Sequence, residues 1–265
     1  MRIRWFVVLG VFGFALAEWM TKRLVIFRIP NALYRNPDDT NVYVTSVVTI
    51  PLRRQSVARY HCSVRIEKDV FDMLLDTGSS SVWVASNFVD EGKWGNKNLL
   101  DTSRAISLRI SRDHFYQAYA SNDVNGLKAT ADMQFGQMLV KSVPFSLVTH
   151  GSKQISEDSF DGIIGLSRGP LHSLNTRNVF YFIYQKDPAR KKFGFYFKNE
   201  GGCFLMGEDV ETFLPPDVNY IDVRGTSYWE TAVDWIFIQN IGFNTKQYVA
   251  ILDTGSQSTF LPKEL

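Results

Sequence analysis

Hydrophobic and polar positions along this chain fall mostly into short runs rather than helical stripes. Val42-Tyr43-Val44, Val47-Val48-Thr49-Ile50, Ser63 to Ile66 and Phe71 to Leu75 are brief segments rich in β-branched or aromatic side chains. Such runs favour extended strands. Turn-forming pairs punctuate the later part: Asn125-Gly126, Gly151-Ser152, Gly169-Pro170, Gly201-Gly202 and Pro215-Pro216. Helical spacing is scarce, and Ser173 to Gln185 is the best helix candidate. Many short strands with closely spaced turns predict a mostly-β fold.

One apolar run has a different grammar. Met1 to Arg4 carries two arginines, Trp5 to Leu16 is apolar for 12 residues, and Ala15-Leu16-Ala17 places small residues at both positions a signal peptidase reads. Residues 1–17 therefore read as a secretory signal peptide cleaved after Ala17. As a helix, a run of this length rises only about 18 Å, short of the roughly 30 Å hydrocarbon core. No stable membrane span is expected once it is removed. The expected destination is the secretory pathway, ending outside the cell or in an acidic, lysosome-like organelle.

Composition narrows the classes. The chain has 265 residues, 14% aromatic, with a net charge of +2, which excludes intrinsic disorder and gives no electrostatic case for nucleic acid. Cys62 and Cys203 are too few for a disulfide scaffold or a cysteine-based zinc site; they could form one bridge or remain two buried thiols. The four histidines, His61, His114, His150 and His172, are scattered and read as surface or packing residues. No metal-binding spacing or phosphate-cradling loop appears, so no metal or cofactor is expected.

The chemistry lies in a repeat. Met73-Leu74-Leu75-Asp76-Thr77-Gly78-Ser79 is echoed by Ala250-Ile251-Leu252-Asp253-Thr254-Gly255-Ser256. Each is an apolar strand ending in Asp-Thr-Gly-Ser and followed by a second apolar stretch, Val82-Trp83-Val84 or Phe260-Leu261. An Asp at the end of a buried strand is held rigidly while its carboxyl can face a cleft. The Thr hydroxyl can lock one loop to the other, and Gly lets the backbone pass close to a carboxylate and donate its N–H. Two such loops face to face would bring two carboxyl groups together, and like charges that close share a proton. One carboxylate could then activate a water while its protonated partner polarises a carbonyl.

At these residues the sequence resembles the pepsin-like aspartic proteases. The segment from Asp76 to Ser86 follows the family's first active-site segment closely. Phe160-Asp161-Gly162-Ile163-Ile164-Gly165-Leu166-Ser167 is similar to its threading strand, and Tyr119 falls at the flap tyrosine. Ala120 and Asn122 replace two flap glycines there. The resemblance runs from about Tyr60 to the last residue. It implies a bilobal pepsin-like β fold and an endopeptidase in which Asp76 and Asp253 are the catalytic pair. Thr77, Gly78, Thr254 and Gly255 would support them, and Ser79 and Ser256 would bond to the outer carboxylate oxygens. Trp83 would hydrogen-bond to the hydroxyl of Tyr119, which closes over the substrate. Leu74, Phe160 and Ile163 would line an apolar pocket, implying cleavage beside bulky apolar residues. Cys62 and Cys203 do not fall at the family's usual disulfide positions.

The domain reading is a signal peptide (1–17), a short prosegment or N-terminal strand region (18–58), an N-terminal β lobe (59–207) and a partial C-terminal lobe (208–265). Arginines in Val47 to Ser56 could pair with the dyad and keep a zymogen silent. The first lobe gives a ruler: Gly165, ending the threading strand, lies 89 residues after Asp76, and the same span after Asp253 reaches about position 342. On this ruler the second lobe is expected to be incomplete, with an apolar-apolar-Gly strand missing. The expected partners are peptide or protein substrates, and a complete chain would be a monomer. The rival expectation is a truncated, non-catalytic relative that binds peptides or a partner without cleaving.

Overall fold

The structure is a computed structural model, and it describes residues 6–10, 23–28, 47–54, 59–89, 91–119, 122–169, 171, 178–190, 192–198, 201–210, 220–238 and 240–263. For β1, β2, Glu91, Gly92 and Lys198 the description covers the backbone alone. The strands are β1 (Phe6–Gly10), β2 (Arg23–Arg28), β3 (Val48–Arg54), β4 (Tyr60–Ile66), β5 (Asp69–Asp76), β6 (Val82–Ala85), β7 (Arg109–Ala118) and β8 (Asp123–Phe135). They continue as β9 (Met138–Gly151), β10 (Gly162–Gly165), β11 (Lys192–Lys198), β12 (Gly201–Met206), β13 (Glu230–Ala232), β14 (Trp235–Ile238), β15 (Ile241–Asn244) and β16 (Val249–Asp253). Among the described residues, three short α-helices interrupt them, α1 (Glu91–Trp94), α2 (Lys153–Glu157) and α3 (Val179–Lys186), with a 3-10 turn at Pro188–Arg190. The mostly-β fold read from the sequence is the one observed.

Eleven strands form one sheet in the order β2-β11-β12-β3-β4-β5-β10-β6-β9-β8-β7, which β4 and β8 close back on themselves. Burial follows the sequence pattern. In β8, buried Val124, Ala129, Ala131, Met133 and Phe135 alternate with more exposed positions, as in a sheet wetted on one face. The all-apolar β6 and the Gly-Ile-Ile-Gly of β10 are buried throughout. β10 runs parallel to β5 and antiparallel to β6, with Gly165 opposite Asp76. The threading strand thereby fixes the first Asp-Thr-Gly loop from behind.

The second loop is framed similarly. β16 lies between β13 and β1. β1 runs parallel to β16 with Gly10 opposite Asp253, the register that Gly165 takes with Asp76. These are backbone relations of the segment read above as part of a signal peptide; Met1 to Trp5 and 11–17 lie outside the described residues.

Several local expectations change. Asn125-Gly126 does not turn the chain but sits inside β8 at a bulge against β9. A Cβ on Gly126 would meet the Leu147 carbonyl carbon at 2.9 Å, so the glycine serves close strand approach rather than a hairpin. The helix foreseen over 173–185 begins at Val179, capped by Asn178, whose side chain accepts from the Tyr181 amide at 2.8 Å; 172–177 lie outside the described residues. Within 18–58, Val48–Arg54 is a full strand between β12 and β4, while Val42-Tyr43-Val44 lies outside the description. No disulfide joins Cys62 and Cys203. β3 separates their strands, a spacing of about 10 Å that no disulfide spans.

One large core packs beneath the central sheet, with Phe193 in edge contact with Phe180 and Trp229 at ring separations of 4.4 and 5.7 Å. A smaller one gathers Leu74, Trp83, Phe115, Phe160 and Ile163 under the strands that carry the first loop. Trp229 links the second loop to the first: its indole donates to the Leu166 carbonyl at 2.7 Å, while its own carbonyl accepts from Leu252 at 2.9 Å. Among the described residues no helix is long and apolar enough to cross a membrane.

Candidate active site

Asp76 and Asp253 end the parallel-flanked strands β5 and β16, and the two loops they open meet face to face. The junction is reciprocal. Thr77 Oγ1 accepts from the Thr254 amide at 3.0 Å and donates to the Leu252 carbonyl at 2.7 Å. Thr254 Oγ1 accepts from the Thr77 amide at 3.1 Å and donates to the Leu75 carbonyl at 2.6 Å. The Thr77 and Thr254 amides and the Leu75 and Leu252 carbonyls at the crossing are thereby all paired.

The glycines hold the carboxylates. Gly78 N–H donates to Asp76 Oδ1 and Gly255 N–H to Asp253 Oδ1, each at 2.9 Å. Each glycine also faces the opposite carboxyl: a Cβ on Gly78 would lie 2.6 Å from Asp253 Cγ, and one on Gly255 would lie 2.7 Å from Asp76 Cγ. Any larger residue would force the pair apart. Burial first, and then the negative charge of Asp253, raise the pKa of Asp76 well above the ordinary carboxylate value, while Ser79 and the Gly78 amide pull it the other way. Two carboxyl groups this close disfavour simultaneous ionisation.

Ser79 lies beside Asp76 and draws its pKa down, though its buried Oγ does not close to hydrogen-bond geometry; Ser256 Oγ instead donates to the Ser258 carbonyl at 2.9 Å. The second loop turns its serine toward its own backbone.

Trp83 and Tyr119 come together as foreseen: the fully buried indole donates to the tyrosine hydroxyl at 2.6 Å. Burial and the nearby Asp76 charge push the Tyr119 pKa upward, so the phenol stays neutral. Its amide donates to the Asn122 carbonyl at 2.7 Å, closing the tip of the β7–β8 hairpin; Ala120 lies outside the described residues. Tyr119 and both aspartates line a cleft of about 550 Å³, with Leu74, Phe160 and Ile163 on its apolar wall.

Sequence reasoning missed other lining residues. Tyr228 is raised in pKa by burial and then by the charges of Asp253 and Asp76. Arg59 and Asp158 form an ion pair on the cleft wall. Behind them Lys97 is buried and donates to the Asp158 carbonyl at 2.8 Å and to the Phe160 carbonyl. Burial lowers the Lys97 pKa to about 8. Asp161 accepts from the amides of Asp72 and Asn98 at 2.7 and 2.8 Å, anchoring the turn into β10. No local pattern marks Arg59, Lys97 and Asp158, because they meet only through the fold.

Paired Asp-Thr-Gly loops on strands backed by parallel neighbours, opening on one cleft, define the pepsin-like class of β protein. The sequence model of the eukaryotic aspartyl protease family matches residues 59–265, and the chain belongs to that family. It is similar to pepsin A of Gallus gallus, at 24% identity over 80% of this chain and 60% of that protein. The vacuolar aspartic protease of Candida albicans matches at 24% over 81% of this chain and 54% of its own length. Aspartic protease 3 of Toxoplasma gondii matches at 27% over 71% of this chain and 32% of its own. The chain thus spans about half the length of most of the curated relatives it matches.

Proposed function

We propose that this chain carries the catalytic dyad of an aspartic endopeptidase, with Asp76 and Asp253 acting through a water molecule. The observation that carries the reading is the reciprocal clasp of the two Asp-Thr-Gly loops, which brings both carboxyl groups together on one cleft; the raised pKa of Asp76, from burial and Asp253, agrees with it. In the acidic range the pair holds one proton. The ionised carboxylate takes a proton from water as its oxygen attacks the peptide carbonyl, and the protonated one hydrogen-bonds to the carbonyl oxygen. The tetrahedral diol then collapses, with the C–N bond breaking as a proton passes to the leaving nitrogen. No covalent enzyme intermediate forms. Leu74, Phe160 and Ile163 support a preference for a bulky apolar residue beside the scissile bond, and Tyr119, held by Trp83, supports closure over the peptide. The arginine-flanked apolar start of the chain, and relatives named as pepsins and a vacuolar protease, support entry into the secretory pathway.

A second reading, binding of a peptide or partner without turnover, is favoured by one feature. Trp235, Phe237 and Ile241 on the two-stranded β14–β15 hairpin are 50%, 69% and 62% exposed. Incubating the chain with apolar-rich peptides between pH 3 and 6 separates the two. Cleavage blocked by a statine-type peptide and lost in Asp76→Asn supports the protease; binding of that mimic without cleavage of any peptide supports the second reading.

A further inference from the structure

The cleft wall carries one cation that the water-activating chemistry does not use. Among the described residues that line it, Arg59 alone is positively charged, and its side chain remains 23% exposed. Arg59 precedes β4, and its guanidinium carbon lies 5.6 Å from the centre of the Phe160 ring. It therefore sits over the aromatic wall of the apolar pocket.

The guanidinium is half used. Its Nη1 donates to Asp158 Oδ1, whereas Nε is buried and has no acceptor. Arginine presents its donors as a planar fork, so one edge can serve Asp158 while the Nε edge takes a second oxygen pair. Lys97 stands behind the ion pair, 5.0 Å from the Phe160 ring centre and committed to backbone carbonyls. Asp158 and Asp161 both act on Lys97, so the charges of the patch balance and what it offers is the unpaired Nε edge of Arg59. An idle charged fork beside an apolar pocket fits a carboxylate brought in by whatever fills that pocket.

Building on the peptidase reading, we infer that Arg59 is a specificity-determining residue: the cleft prefers peptides with an Asp or Glu side chain close to the residue packed against Phe160. The acidic side chain lies against the Nε edge, and Asp158 holds the arginine in place from the other side. Arg59 touches no reacting atom and acts through peptide selection alone.

The test is binding of non-cleavable statine-type peptides to the full chain by fluorescence anisotropy at pH 5.5, above the ordinary Glu pKa. Peptides carry Glu, Gln or Lys in turn at each position flanking the statine. One position should show Glu bound about tenfold tighter than Gln, the scale of a charge-assisted hydrogen bond, with Lys weaker than both. That Glu-to-Gln ratio should collapse toward one in Arg59→Gln, reverse toward Lys in Arg59→Glu, and survive in part in Arg59→Lys. A residue that merely supported the fold would weaken all three peptides together and leave the ratio intact, and thermal melts of each variant register any such loss. A flat Glu-to-Gln ratio at every position, or one indifferent to Arg59→Gln, overturns the inference. Because the readout is binding, a chain that selects Glu yet cleaves nothing fails only the peptidase reading.

Discussion

Thr77 and Thr254 each accept the other's backbone amide and each donate to the carbonyl just before the other's aspartate. The two halves of the dyad are thus held by buried hydrogen bonds rather than by packing alone. Thr77→Val keeps the shape but strands the Thr254 amide and the Leu252 carbonyl. A loss of about 2–4 kcal/mol is expected for two buried groups left unpaired. Urea unfolding at neutral pH measures it, and Thr77→Ser, which retains the hydroxyl, should recover most of the loss. A Thr77→Val chain as stable as the parent would show that the crossing does not hold the loops.

The raised Asp76 pKa has a thermodynamic signature separate from catalysis. A native carboxyl with a pKa above its unfolded value binds protons more tightly than the unfolded chain, so stability falls as pH rises beyond the ordinary Asp value of about 4. Asp76→Asn removes that ionisation. Its stability should exceed that of the parent at neutral pH, and the advantage should shrink to nothing well below pH 4. Denaturation across pH 3 to 7 reads the difference. A gap that is constant with pH would mean that Asp76 does not titrate abnormally.

The dyad and its frame were legible in the sequence because each part is local. An apolar strand, Asp-Thr-Gly and a second apolar stretch lie within a dozen residues, and they occur twice. The contact between Trp83 and Tyr119 followed from resemblance, and the structure supplies it at 2.6 Å. Arg59, Lys97 and Asp158 were invisible because they converge from three separate segments, and an isolated charge has no periodicity. Asn125-Gly126 misled for the opposite reason. The dipeptide is a strong hairpin signal, but here the strand continues and the missing side chain admits β9. Ser256 failed since its neighbours, not its motif, decide where the hydroxyl points.

His61 is fully buried, neither ring nitrogen has a hydrogen-bond partner, and its ring sits edge-on to Phe160 at 5.9 Å. Burial depresses its pKa from 6.5 to about 4, against the opposing pull of Asp72, whose Oδ2 is 4.0 Å from Nδ1. Above pH 6.5 both native and unfolded chains carry it neutral. As pH falls toward 4 only the unfolded chain gains the proton, so the native state loses up to about 3 kcal/mol over that window. His61→Phe keeps a flat ring against Phe160 without a proton site. Its stability relative to the parent should improve progressively from pH 7 to pH 4, measured by denaturant midpoints. An improvement equal at both ends would assign the effect to unpaired nitrogens alone.

Val8-Leu9-Gly10 stands beside Ile251-Leu252-Asp253 as Ile163-Ile164-Gly165 stands beside Leu74-Leu75-Asp76. Both neighbours are parallel, and both place a glycine opposite the aspartate. The edge of β16 is therefore an acceptor for an apolar-apolar-Gly strand, and the segment in place is the one that also reads as the core of a signal peptide. An unpaired strand edge leaves its amides open to water. In the chain 1–265, amides of residues 249–253 facing β1 should exchange slowly with deuterated solvent. In 18–265 they should exchange at least ten times faster, while those of β5, whose threading strand is retained, stay unchanged. Gly10→Val in the longer chain, which puts a branched side chain opposite Asp253, should give an intermediate result. Equal exchange of β16 in the long and short chains would mean that residues 6–10 do not occupy that edge in solution.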